Sequence, residues 1–221
     1  MRAVVFDWDG TLVDTLPAIL RANARVLEEY GVPFDETKYL AAYVPDWRHM
    51  YRILGVPEGA IPAAGSRWLE LYRETTGLAP FPGVVDALRR LAQEGHRLGL
   101  VTAGDRGVVE DQLARFGLAE LLAVRVCGDD PFPPKPDPAP LRHALDELRA
   151  LELPELPMYV GDAPDDMRMA RRAEVHGVGI VGPLATADDL RAAGALEVGR
   201  SVVEWVEAYL ADQAAASARR P

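Results

Sequence analysis

The chain has 221 residues, 49% of them apolar, and a formal net charge of −10. That length can bury one large core, or a core with a smaller insertion. Arginines scattered singly or in pairs such as Arg89-Arg90 and Arg171-Arg172 exclude a basic nucleic-acid footprint, no apolar run approaches membrane-span length, and a single cysteine, Cys127, excludes an internal disulfide.

The first element is the apolar run Ala3-Val4-Val5-Phe6, read as a strand over residues 3 to 8. It runs into FDWDGTLVDT, where Asp7, Asp9 and Asp14 crowd together. Asp7 and Asp9 are two apart, so on a strand both carboxylates leave one face and require a positive partner. Next, Leu16, Ile19, Leu20, Asn23, Leu27 and Tyr30 fall at helical spacing, and RHMYRILG and SRWLELYRET read as further helices. No strand of comparable strength interrupts them. The expected organisation is therefore a helical insertion over residues 15 to 80, closing at Phe81-Pro82-Gly83, on a core made of residues 1–14 and 81–221.

Beyond residue 81, four short apolar runs alternate with amphipathic segments. The runs are RLGLVT (97 to 102), LAVRVCG (122 to 128), PMYVG (157 to 161) and HGVGIVG (176 to 182). Between them Val84, Leu88 and Leu91, then Val109, Leu113 and Phe116, then Leu141, Ala144, Leu145 and Leu148 keep helical spacing. This alternation predicts an α/β fold: a doubly wound, Rossmann-like parallel sheet with helices on both faces and a small helical cap. The alanine-rich segment after Ala211 is expected to fray.

Four segments stand where predicted strands end, the side on which open parallel sheets bind ligands. They are Asp7-Trp8-Asp9-Gly10-Thr11, Val101-Thr102-Ala103-Gly104, Pro134-Lys135-Pro136-Asp137-Pro138 and Gly161-Asp162-Ala163-Pro164-Asp165-Asp166. If they converge, Asp7, Asp9 and Asp162, with Asp166 behind, form a pocket that repels itself unless a hard cation such as Mg²⁺ enters. A phosphate would then be held opposite by the Lys135 ammonium, the Thr102 hydroxyl and the backbone N–H groups around Ala103 and Gly104. Only two of the 24 basic residues are lysines, Lys38 and Lys135, so a lysine retained in such a chain is a candidate for chemistry. In this geometry Asp7 attacks phosphorus to form an aspartyl-phosphate, while Asp9 protonates the leaving alkoxide and then activates water.

FDWDGTLVDT, LVTAG, PPKPDP and YVGDAPDDM resemble, in order and spacing, the four motifs of the haloacid dehalogenase-like hydrolase superfamily, in particular its phosphoglycolate phosphatase-like branch. The resemblance spans essentially the whole chain. It implies Asp7 as nucleophile, Asp9 as the acid/base that also ligates magnesium through its carbonyl, Thr102 and Lys135 as phosphate binders, Asp162 as a metal ligand, and Asp166 as the group orienting Lys135. Many relatives carry asparagine where this chain has Ala103, so one polar contact near the phosphate is missing. The GDxxxD spacing selects Asp166 over Asp165.

Rival readings are weaker. GVGIVG matches the dinucleotide fingerprint GxGxxG, but it is strand-like and meets Pro183 instead of opening a helix. A non-catalytic receiver-like phospho-acceptor module would also use aspartate, magnesium, threonine and lysine, yet has no use for an insertion or a second aspartate. Asp9 favours phosphoryl transfer over dehalogenation, with sugar phosphomutase or pyrophosphatase chemistry as alternatives. Substrate choice is expected in the insertion, where Pro45-Asp46-Trp47-Arg48-His49 offers Arg48 as an anchor for an anionic leaving group. The expectation is a cytoplasmic, magnesium-dependent phosphatase of a small phosphorylated metabolite, monomeric or homodimeric, with no nucleic-acid or membrane partner.

Overall fold

Ala3-Val4-Val5-Phe6 shows no polar alternation because helices cover both of its faces, and all four residues are buried. In the computed structural model, which describes residues 1–218, this segment is β1 (Ala3–Phe6). It is joined by β2 (Arg97–Val101), β3 (Val124–Val126), β4 (Met158–Gly161), β5 (His176–Ile180) and β6 (Glu197–Gly199). All neighbours pair in parallel, in the order β3-β2-β1-β4-β5-β6. The sheet thus reverses its direction of growth between β1 and β4. In doubly wound sheets that reversal opens a crevice beyond the strand ends, and ligands bind there.

Two hydrophobic clusters sandwich the sheet, and the period of two along each strand decides which side chain enters which. Val4, Phe6, Leu98, Leu100, Met158 and Val160 pack with α5 (Val84–Gln93), α6 (Arg106–Phe116) and α10 (Val202–Ala218). Ala3, Val5, Val101 and Tyr159 pack with α7 (Ala139–Glu147), α8 (Pro164–Arg172) and α9 (Ala187–Ala193). Cys127 belongs to the first cluster and is buried.

Between β1 and α5 lie four helices and a short 3-10 turn at Glu58–Ala60. The helices are α1 (Leu16–Glu29), α2 (Glu36–Ala42), α3 (Trp47–Leu54) and α4 (Ile61–Arg73). They bury a cluster of their own, including Val26, Leu27, Tyr39, Met50, Tyr51, Ile61 and Ala64. The chain leaves and re-enters the core side by side, with Val13 bridged to Pro80, Asp14 N–H donating to the Ala79 carbonyl and Phe81 N–H to that of Leu12. A fourth, small cluster joins the two parts, with Ala18 of α1 and Tyr72 of α4 against Val108 of α6.

Several local expectations change. Strand β1 stops at Phe6, because the Trp8 carbonyl accepts the amides of Thr11, Leu12 and Val13 and turns the chain at once. Helix α2 has only seven residues and starts where the Asp35 side chain accepts the Lys38 amide, a capping signal too brief to carry a period. Strand β6 is a three-residue edge whose first residue, Glu197, is exposed. The alanine-rich segment expected to fray after Ala211 is helical through Ala218, as the end of α10, and the last three positions lie outside the described residues. GVGIVG forms β5 and its exit, in agreement with its strand-like reading. Among the described residues no helix is long and apolar enough to cross a membrane.

Candidate active site

The carboxyl ends of β1 and β4 carry the first two acidic residues. Asp7 continues the β1 ladder by one bond, its N–H donating to the Val160 carbonyl at 2.8 Å, so its side chain is fixed at the reversal point. Asp162 follows β4 directly and is 3% exposed. Asp166 stands in the first turn of α8, where its Oδ2 accepts the Ala163 N–H at 3.1 Å. The carboxylates of Asp7, Asp162 and Asp166 can each place an oxygen within 4.8 Å of the others. All three are buried.

Lys135 enters this cluster from the loop before α7, where the Asp137 N–H closes a turn onto the Pro134 carbonyl and Arg172 Nη1 donates to the Pro136 carbonyl at 3.0 Å. Its Nζ lies 2.6 Å from Asp7 Oδ1 and 2.8 Å from Asp166 Oδ1. Burial alone would lower the lysine pKa, but Asp166 and Asp7 outweigh it and hold the ammonium charged. Three enclosed carboxylates against one ammonium leave an excess of negative charge. Burial accordingly pushes Asp7 up to about 7, with Lys135 opposing and Asp166 adding, and drives Asp162 well above the ordinary carboxylate range, Asp7 and Asp166 adding to the effect. That excess fits a hard divalent cation with oxygen ligands.

The oxygens differ in availability. Asp166 is nearly saturated, because Oδ1 receives Lys135 and lies 3.1 Å from the Tyr159 hydroxyl, while Oδ2 caps α8. Asp162 Oδ1 accepts the Thr11 hydroxyl at 3.3 Å, and Oδ2 faces Gly10. A side chain at Gly10 would start 2.4 Å from that oxygen and would also have to adopt φ of +79°. At Gly161, a Cβ would stand 2.5 Å from the Asp166 carboxylate, so only glycine lets α8 bring Asp166 this close. Asp7 and Asp162 are therefore the carboxylates free to hold a cation, and Asp166 is bound up in orienting Lys135.

Asp9 departs from the strand-based expectation. The turn begins after Asp7, so Lys135 pairs directly with Asp7 and acts on Asp9 only through space, and Asp9 Oδ1 lies 3.4 Å from the Tyr72 hydroxyl of α4. Its other oxygen is close to Gly104, where a Cβ would sit 3.5 Å from Asp9 Oδ2 and 3.3 Å from Thr102 Oγ1. Burial raises the Asp9 pKa, with Thr15, Lys135 and Tyr72 easing the shift. Thr102 is pinned by its N–H to the Val126 carbonyl at 2.9 Å, and its hydroxyl accepts the Gly104 N–H at 3.0 Å. Ala103 is exposed at the tip of the same loop. Five segments far apart in sequence thus meet around one crevice.

Arg48 does not join this cluster. It is exposed on α3, with its guanidinium 4.3 Å over the Trp47 ring. Sequence reasoning missed Tyr72, Tyr159, Thr11 and Tyr43. The Tyr159 ring lies 5.5 Å from Lys135 Nζ, and a tyrosine two places before the strand-end glycine-aspartate pair was a readable signal. Tyr43 follows α2, and its phenol is raised by burial and by the charges of Asp162 and Asp7. Nothing in the sequence joins either Tyr43 or Tyr72 to residues around Asp7.

Comparison with known proteins identifies the family. Residues 4–180 match the haloacid dehalogenase-like hydrolase family. A phosphoglycolate phosphatase of Cereibacter sphaeroides is 36% identical over 185 residues, covering 78% of this chain and 82% of the relative. One of Rhodospirillum rubrum is 33% identical over 222 residues, covering 87% and 89%. A hydrolase from Pseudomonas syringae superposes with a TM-score of 0.81 at 23% identity, over 94% of this chain and 97% of the other, a likeness of fold. With its motifs gathered at one sheet edge and two thirds or more of its length shared with curated phosphatases, this chain belongs to the haloacid dehalogenase-like hydrolases, in their phosphoglycolate phosphatase-like branch.

Proposed function

We propose that the chain is a magnesium-dependent phosphatase of small phosphorylated metabolites that works through an aspartyl-phosphate on Asp7. The observation that carries this reading is the Lys135 ammonium, held 2.6 Å from Asp7 in a cluster of buried carboxylates whose remaining negative charge calls for a cation. When bound by Asp7, Asp162 and the Asp9 carbonyl, magnesium would lower the excess charge of the pocket and draw charge from the phosphoryl oxygens. Lys135 and the Thr102 hydroxyl would bind the same phosphoryl group from the other side, together with backbone N–H groups around Ala103.

The residues then divide the reaction. The Asp7 carboxylate attacks phosphorus, breaking the P–O bond to the leaving group and forming an acyl-phosphate. Asp9, whose raised pKa suits a proton donor, gives its proton to the departing oxygen and afterwards takes one from the water that attacks the acyl-phosphate. Residues 15 to 80 would act as the cap, excluding water until that second step. Phosphoglycolate heads the substrate series because the relatives from Cereibacter sphaeroides and Rhodospirillum rubrum are phosphoglycolate phosphatases.

The test is a panel of phosphorylated metabolites, phosphoglycolate included, assayed for inorganic phosphate with magnesium present and then chelated. Sustained release lost on chelation and regained on adding magnesium is the expected result. A single stoichiometric labelling of Asp7 would favour the receiver-like alternative, and isomerisation of a sugar phosphate without release would favour a mutase.

A further inference from the structure

Asp9 makes no ion pair with Lys135 among the described residues, and the side chains beside its carboxylate, Thr15 and Tyr72, belong to the insertion. The Tyr72 hydroxyl lies 3.4 Å from Asp9 Oδ1, across 63 positions of sequence. Tyr72 is 4% exposed and its ring is stacked on Trp68, with centroids 4.8 Å apart and planes at 11°. It also packs with Ala18 and Val108 in the cluster that joins insertion to core. The hydroxyl has Gln112 and Thr15 as further neighbours, and Gln112 Oε1 is already engaged by Trp8 Nε1 at 2.6 Å. A ring clamped in this way has little freedom to move its hydroxyl, so the oxygen is a fixed point for whatever meets it.

We infer that Tyr72 is a positioning residue for Asp9: its hydroxyl, carried by the insertion, holds the Asp9 carboxylate in the orientation needed to protonate the leaving oxygen. The inference rests on reading Asp9 as the acid/base. An O–H···O contact is ordinarily about 2.7–2.8 Å, so the contact has slack. Catalytic hydrogen bonds tighten in the reacting complex, and a small shift of the Asp9 carboxylate toward the fixed hydroxyl is enough to shorten this one. The consequence is that a side chain of the insertion helps orient an acid carried by the core.

Tyr72→Phe tests this, because it keeps the ring on Trp68 and removes only the hydroxyl. Phosphorylation of Asp7 is isolated in kcat/KM, and its need for an acid depends on the leaving group. An alkyl phosphate, whose alkoxide must be protonated, is expected to lose about tenfold or more in kcat/KM, mostly in kcat, while 2,4-dinitrophenyl phosphate, whose leaving group departs without a proton, loses less than about threefold. The thermal midpoint should stay within a few degrees of wild type, which separates positioning from a folding defect. Equal losses on both esters, or none, overturn the inference. Asp9→Asn, run on the same pair, separates the two readings. If it shows no difference between the esters, the role of Asp9 as acid fails and the inference with it, whereas a large difference for Asp9→Asn without one for Tyr72→Phe sinks the inference alone.

Discussion

The core and the insertion both contribute polar groups around the crevice, but the groups are of different kinds. At the carboxyl edge of the sheet they are charged: Asp7, Asp162, Asp166 and Lys135 are each less than a tenth exposed and are fixed by strand ends, a helix N-terminus and a closed turn. The insertion contributes phenols, Tyr72 on Asp9 and Tyr43 among the fields of Asp162 and Asp7. Its charges stay outside, in surface pairs such as Arg52–Glu58 and Arg67–Glu29. The physical reason is desolvation. A charge can be buried only where fixed partners meet it, and a sheet edge supplies such partners, whereas the helices of the insertion, which also face water, bring neutral groups to the site.

The largest test of this contrast removes a core charge from the chemistry. Asp7→Asn keeps shape and hydrogen bonding but cannot attack phosphorus, so kcat should fall on the order of 10⁴-fold or more. Residual turnover near wild type would end the proposed mechanism. Replacing the ammonium comes next. Lys135→Met fills similar space but leaves three enclosed carboxylates without a counter-charge, and should cost about 3–5 kcal/mol in denaturant unfolding without divalent ions. By contrast Arg52→Ala, which breaks an exposed pair in the insertion, should cost no more than about 1 kcal/mol. Similar costs for the two would erase the distinction between the regions.

A pH series sharpens the same point. The Asp7 carboxyl is raised from 3.8 to about 7 in the folded, metal-free protein, so between those values the native state holds a proton that the unfolded chain has released. Its contribution to stability is full below 3.8 and is lost as pH rises through about 7. Asp7→Asn lacks this dependence, and the thermal midpoint of wild type should therefore fall relative to that of Asp7→Asn as pH climbs through this window, with magnesium closing the gap. A gap that is flat with pH would show that Asp7 ionises as an ordinary carboxylate. The smallest effect concerns Arg48. Stacked on Trp47 at an exposed position, it should change KM for phosphoglycolate and for an aryl phosphate alike on Arg48→Ala, by less than about twofold. A selective rise for the acidic ester would bring a cation of the insertion into the site.

Much of the molecule was legible in one dimension. Apolar runs such as RLGLVT and PMYVG marked buried parallel strands, because a sheet covered on both faces has no use for polar alternation. The helical periods of α5, α6 and α7 were equally plain. The short edge strand β6 and the seven-residue α2 were not, since elements of that length contain too few turns or alternations to carry a period. In the site, Asp7, Lys135, Asp162 and Asp166 were found because clustered acids and a rare lysine after strands are chemically conspicuous. The divergence of Asp9 from Asp7 was missed because it depends on where the strand ends, and that is set by the Trp8 carbonyl accepting amides from the turn that follows.

The sheet, its two-sided helical cover and the identity of the charged groups therefore follow from local period and residue chemistry, and a linear string of residues is enough to read them. Who meets whom was settled only in three dimensions: that Lys135 sits between Asp7 and Asp166, that Gly10 makes room for Asp162, and that a phenol from α4 reaches Asp9. Such meetings join positions scores of residues apart, and no local propensity encodes them, because they exist only once the strands have chosen their order.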